Sequence, residues 1–219
     1  WWAKLFFAFA SVFTVWQTWS LSEQSFLSCV GHHGSGDLEF YYPRGIAIDK
    51  HHRRIVVTDT NNNRLVFLSS IDLSFLFSIG KKLPPPSTLF GGSNVSNHPG
   101  EFYCPTSVAI DDDRHRIIVS DSFNHRVQVL SSIDGSFLFE FGSKGNQPCQ
   151  FINPLGLCIA NQGRIIVADW YNYRLQSFTH EGHHISSFDC GREKPSAVAF
   201  DKHRGLIAFT AGNRVHVIG

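Results

Sequence analysis

The sequence predicts an all-β fold assembled from repeated four-stranded antiparallel sheets. Two observations carry this. The pattern Asp-x-x-Asn-x-Arg occurs three times between apolar runs, at Asp59/Asn62/Arg64, Asp121/Asn124/Arg126 and Asp169/Asn172/Arg174. Around each copy the same order recurs: a Pro-led apolar run, a charged turn, a second strand, the Asp-to-Arg turn, a third strand, a polar turn and a fourth strand ending in Gly80, Gly142 or Gly191. No stretch shows helical periodicity, and four short strands per unit at a spacing of about 40–50 residues are the mark of a β-propeller, one sheet per blade.

Taken in order, residues 1–16 hold Lys4 and then a short apolar run through Trp16. A basic residue before a short apolar core fits a targeting segment. A pair of degenerate strands is the favoured reading, because Ser25–Gly31 continues the repeat, matching Ser74–Gly80 and Ser136–Gly142. The first strand of each unit follows a Pro (Pro43, Pro105, Pro154, Pro195), as suits a residue without an N–H. These runs are apolar throughout, which predicts burial on both faces. Gly45, Ala47, Ala109, Gly156, Ala197 and Ala199 recur in them and suit strands crowded around an axis.

About five blades are visible, three full and two partial, within a single domain over 1–219. The last unit appears without a fourth strand. Ser25–Gly31 could supply it and close the ring, or could belong to an N-terminal blade of its own; both arrangements stay open. Residues 81–103, with Pro84-Pro85-Pro86 and Gly91-Gly92, read as an exposed loop insertion between blades. The absence of methionine suggests a piece of a longer protein.

The run Asp121-Ser122-Phe123-Asn124-His125-Arg126-Val127-Gln128-Val129 resembles the core of the NHL repeat, down to the Asn-His pair behind the family's first letters. The preceding Phe-x-x-Pro and the Val-Ala-Ile-Asp strand fit as well, and the resemblance covers essentially residues 36–218. Asn63 and Tyr173 stand where His125 would, and Gly212-Asn213-Arg214 is shortened, with Thr210 near the place of the Asp. The resemblance implies an NHL-type propeller. In proteins of the TRIM-NHL type such propellers sit behind zinc-binding RING or B-box regions of ubiquitin ligases and select protein or RNA. No such zinc-binding sequence is present here. The family also includes metal-dependent amidating lyases and lies near lactonase propellers, so an enzyme with a metal in the central channel is the alternative.

Composition narrows the function. Nineteen Lys and Arg against eighteen Asp and Glu give a net charge of +1, which argues against a strongly basic nucleic-acid binder. Five cysteines without Cys-x-x-Cys spacing favour a reducing, cytoplasmic setting; a secreted or membrane-anchored protein follows if residues 1–16 are a targeting segment. The pairs Asp59–Arg64, Asp121–Arg126 and Asp169–Arg174 read as structural turn pairs, since a feature repeated in every blade belongs to the scaffold. Arg214 lacks an obvious carboxylate and is left to bind something else. No catalytic residue, metal ligand or cofactor is expected, because the innermost strands offer few donors.

The loops at one end of the ring gather Tyr41, Tyr42, Tyr103, Phe123, Trp170 and Tyr171 with Lys81, Lys82, Lys144, Arg192, Lys194 and Arg214. Rings among Lys and Arg suit single-stranded RNA by stacking and phosphate contacts, and suit a protein partner equally well. Asp37, Glu39, Glu101 and Glu193 on the same face weaken the RNA case. The expected activity is therefore non-catalytic recognition of protein or RNA through this face, with no small-molecule substrate. On the opposite face stand His51, His52, His115, His180, His183, His184 and His203, which would charge near pH 6.

Overall fold

The computed structural model describes residues 4–7, 16–20, 25–80 and 97–219. Three four-stranded antiparallel sheets lie between two three-stranded ones among these residues. The N-terminal sheet holds β1 (Lys4–Phe7), β2 (Trp16–Ser20) and β3 (Ser25–Val30). A short parallel pair follows, β4 (His32–His33) with β5 (Glu39–Phe40). The first full blade is β6 (Pro43–Asp49), β7 (Arg54–Asp59), β8 (Arg64–Ser69) and β9 (Phe75–Ile79). The second is β10 (Pro105–Asp111), β11 (Arg116–Asp121), β12 (Arg126–Ser131) and β13 (Phe137–Phe141). The third is β14 (Pro154–Ile159), β15 (Ile165–Asp169), β16 (Arg174–Phe178) and β17 (His184–Asp189). The last sheet has β18 (Pro195–Asp201), β19 (Leu206–Ala211) and β20 (Arg214–Ile218). Every blade pairs its strands in chain order, and β6, β10, β14 and β18 neighbour one another in turn, so the sheets form a β-propeller.

The N-terminal segment supplies strands, and β3 pairs with β2 in a blade of its own rather than with β20. Among the described residues no helix is long and apolar enough to cross a membrane.

Burial differs from the sequence expectation. The innermost strands are only partly buried, and β18 is largely exposed. The strands buried on both faces are the second and third of each four-stranded blade; all six residues of β7 are buried. Alternation explains this. Val56 packs toward the second blade with Phe102, Ile117, Val119 and Leu130. Ile55 and Val57 point the other way, toward Phe40 and Val30. In β11, Ile118 faces the third blade while Ile117 and Val119 face the first. A strand that feeds a core on each side reads as a continuous apolar run. Apolar inner strands reflect crowding instead. A Cβ on Gly45 would stand 2.8 Å from Ser107 Cα, and one on Gly156 would stand 2.7 Å from Ser196 O.

Each first strand slips register just after its Pro. Such a bulge frees a backbone N–H, which needs another acceptor. Thr58 Oγ1 accepts from Gly45 N–H at 2.7 Å, Ser120 Oγ from Ser107 N–H at 2.9 Å, and Thr210 Oγ1 from Ala197 N–H at 3.1 Å. Thr210 therefore holds the Thr58 position, and the Asp position in the last blade is taken by buried Ala211, which pairs with Arg214.

Candidate functional site: an aromatic loop face

The end of the ring where the sequence placed its binding residues is built around three buried carboxylates. Asp59 Oδ2 accepts from Asn62 Nδ2 and Arg64 Nε, both at 2.8 Å. Asp121 does the same with Asn124 (2.9 Å) and Arg126 (2.8 Å), and Asp169 with Asn172 (2.8 Å) and Arg174 (2.9 Å). The other oxygen does not bond its own turn. Asp59 Oδ1 accepts from Tyr41 N–H at 2.7 Å, Asp121 Oδ1 from Tyr103 N–H at 2.7 Å, and Asp169 Oδ1 from Ile152 N–H at 2.8 Å. Each carboxylate thus ties the connection entering a blade to the turn between that blade's second and third strands.

The arginines extend the tie. Arg64 donates to the carbonyls of Gly36 and Glu39, Arg126 to those of Asn97, His98 and Glu101, and Arg174 to those of Asn146, Gln147 and Gln150. Burial pushes the carboxyls of Asp59, Asp121 and Asp169 up, against the pull of these donors and of the guanidinium beside each. The rings carried by these segments fall into three groups. Tyr41 meets His33 edge-on (4.9 Å) and Tyr42 (5.3 Å); Tyr103 meets Phe123 edge-on (5.0 Å); Trp170 meets Tyr171 (4.4 Å). Tyr42, Phe123 and Tyr171 are each more than two-fifths exposed.

The cations are placed less uniformly. Lys194 sits over Trp170 and Tyr171. Lys144 and Arg192 are exposed beside the rings' connections. Arg214 does have a carboxylate near it: Glu193 Oε1 lies 3.7 Å away, although Glu193 bonds His216 more closely, at 2.8 Å. Lys81 and Lys82, with residues 81–96 of the predicted insertion, lie outside the described residues. Residues 97–103 are bound into the blade through Arg126, and Phe102 is fully buried.

The sequence reading missed His33 and Tyr173 as members of the ring clusters. It also missed what the residue before each turn Arg does. Asn63 Oδ1 accepts from Cys104 N–H of the next blade at 2.8 Å, and His125 Nδ1 accepts from Asn153 N–H at 3.1 Å. The signal was the shared left-handed position of Asn63, His125 and Tyr173, with φ of 54°, 56° and 55°.

On the opposite face His51, His52 and His115 come together, with ring centroids 5.3 and 6.3 Å apart, and His52 bonds the buried Asp49. His183 and His184 find Glu181 and Ser187. Among the described residues no three His, Cys, Asp or Glu side chains converge as metal ligands would. All the cysteines are free, and burial pushes the thiols of Cys104 and Cys190 up to about 11 and that of Cys158 to about 12.

Comparison with known proteins now bears on this geometry. The NHL repeat model matches residues 40–66, 102–130 and 151–178, the span from each buried Phe to the third strand. The chain carries NHL repeats. It is 28% identical over 151 residues to peptidyl-glycine alpha-amidating monooxygenase B of Xenopus laevis, covering 66% of this chain and 16% of that protein. It is 46% identical over 46 residues to the human E3 ubiquitin-protein ligase TRIM32, covering 21% of this chain and 7% of that one. The chain thus spans a small part of these relatives. The solved structure of U3-55K superimposes with a TM-score of 0.70 at 12% identity, over 99% of this chain and 57% of that one, and shares the fold. In each NHL repeat matched here, the Asp, the Asn and the Arg are the three members of one carboxylate cluster.

Proposed function

We propose that these NHL repeats form a non-catalytic recognition module that binds a protein partner through the aromatic loop face. One observation carries the reading: Tyr42, Phe123 and Tyr171 stand exposed on segments pinned by buried carboxylates. Rings held on a rigid support lose little freedom on binding, and aromatic and Arg side chains dominate interface hot spots. A protein is favoured over single-stranded RNA because Glu39, Glu101 and Glu193 share the face and the net charge is only +1. Likeness to TRIM32 supports a place as the substrate-selecting part of a larger ubiquitin ligase. The free thiols suit a reducing cytoplasm. The enzyme alternative draws on likeness to the amidating monooxygenase, but a channel metal would need a set of converging donors, and the described residues bring none together.

The test is capture from ribonuclease-treated lysate, comparing the chain with a Tyr42→Ala/Phe123→Ala/Tyr171→Ala variant of unchanged melting temperature. The specific partner should remain after ribonuclease and bind the variant at least roughly 30-fold more weakly, since each hot-spot ring contributes about 2 kcal/mol. Equal capture by both chains rules out the aromatic face. Loss of the partner to ribonuclease transfers the reading to RNA.

A further inference from the structure

One turn of the loop face departs from the other two. In the first two full blades, the residue after the Asp and the residue before the Arg both bond the next blade. Thr60 Oγ1 donates to Pro105 O at 2.8 Å and Ser122 Oγ donates to Pro154 O. Asn63 and His125 accept from Cys104 and Asn153 as described. The third blade replaces both positions with rings, Trp170 and Tyr173, and Tyr171 stands between them. Trp170 Nε1 and the phenols of Tyr171 and Tyr173 make no hydrogen bond among the described residues. A repeat that gives up two polar ties for three aromatic rings is no longer only scaffold.

The rings enclose a cation. Lys194 Nζ lies 4.9, 4.3 and 5.8 Å from the ring centroids of Trp170, Tyr171 and Tyr173. Trp170 and Tyr171 are inclined at 52°, so they form walls rather than a stack. Lys194 takes part in no hydrogen bond or ion pair among the described residues. Three rings around one ammonium group make a box whose negative faces attract positive charge. A primary ammonium is strongly hydrated and gives up water to enter such a box. A quaternary ammonium carries the same charge without N–H groups to hydrate, and its methyl groups contact the rings directly. Lys194 is therefore the weaker type of occupant, favoured only because it is attached.

We propose that Trp170, Tyr171 and Tyr173 form a binding site for a quaternary ammonium group, closed by Lys194 until a ligand displaces it. The chemistry is shared by a trimethylated lysine side chain and a choline headgroup. The inference goes beyond the recognition module proposed above and stands whether or not Tyr42 and Phe123 bind a partner.

The experiment follows the indole N–H resonance of Trp170 during titration with tetramethylammonium. It uses the parent chain, Lys194→Ala, and Lys194→Ala/Tyr171→Ala, the last change being at a ring already 42% exposed. Lys194→Ala should bind on the order of tenfold more tightly than the parent, the worth of removing one competing cation–π partner. The added Tyr171→Ala change should reverse that gain. A trimethyl-lysine peptide and phosphocholine are then titrated into Lys194→Ala, and the tighter of the two identifies the source of the ligand. The proposal is overturned if Lys194→Ala binds tetramethylammonium no better than the parent, or if losing Tyr171 leaves its binding unchanged.

Discussion

A single ring nitrogen sets the behaviour of His125. Its Nδ1 accepts a hydrogen bond from Asn153 N–H across a blade boundary, so only the neutral imidazole can make the contact. Burial, and then the ammonium of Lys144, hold its pKa below the usual histidine value. The sign follows. Above the unfolded value of about 6.5 the ring is neutral in both states and its contribution is complete. As pH falls through that value toward the folded one, the unfolded chain takes the proton first and the contribution is lost. Asn63 fills the same position one blade earlier with an amide oxygen that does not titrate. The fall in melting temperature between about pH 7.5 and about pH 5.5 should therefore shrink in His125→Asn. An unchanged fall would show that the ring does not serve as the acceptor. In sequence, Asn63 and Tyr173 read only as departures from the motif that His125 keeps. Their partner lies in the next blade, and local pattern does not reveal register between blades.

At the scale of the element, the strands were legible where two cores flank them. The continuous runs of β7, β11 and β15 are apolar because alternate residues serve opposite neighbours. The inner strands were misread for a physical reason. Gly45 and Gly156 are small because neighbouring strands approach closely, and small apolar residues look the same in a sequence whether crowded or buried. The Asp position of the last blade was displaced by one residue, since Thr210 is polar like Asp although its hydroxyl serves the bulge and Ala211 holds the corner. Between blades the contacts converge on one Phe per connection: Phe40, Phe102 and Phe151, each 0–1% exposed. Phe151 sits among Phe141, Phe178, Val127 and Leu157. Phe151→Ala should cost about 3–5 kcal/mol in urea unfolding, the usual range for a cavity of that size. A cost under about 1 kcal/mol would mean that the boundary closes up or was never tightly packed.

At the scale of the molecule, the ring divides its labour between axis, walls and rim. The second and third strands carry the cores, the inner strands set the spacing, and the carboxylates transmit that rigidity to the rings on the loop face. Recognition by Tyr42, Phe123 and Tyr171 depends on this transmission, because a connection that moved freely would spend binding energy on being ordered. Native-state hydrogen exchange reads it directly. Connections ordinarily exchange fast, while amides of buried strands exchange slowly. The account predicts slow exchange in β7, β8, β11, β12, β15 and β16, and slow amides in the connections at Tyr41, Tyr103 and Ile152, which donate to Asp59, Asp121 and Asp169. If those three amides exchange as fast as unbonded amides exposed to solvent, the loop face is not anchored to the ring and the account is contradicted.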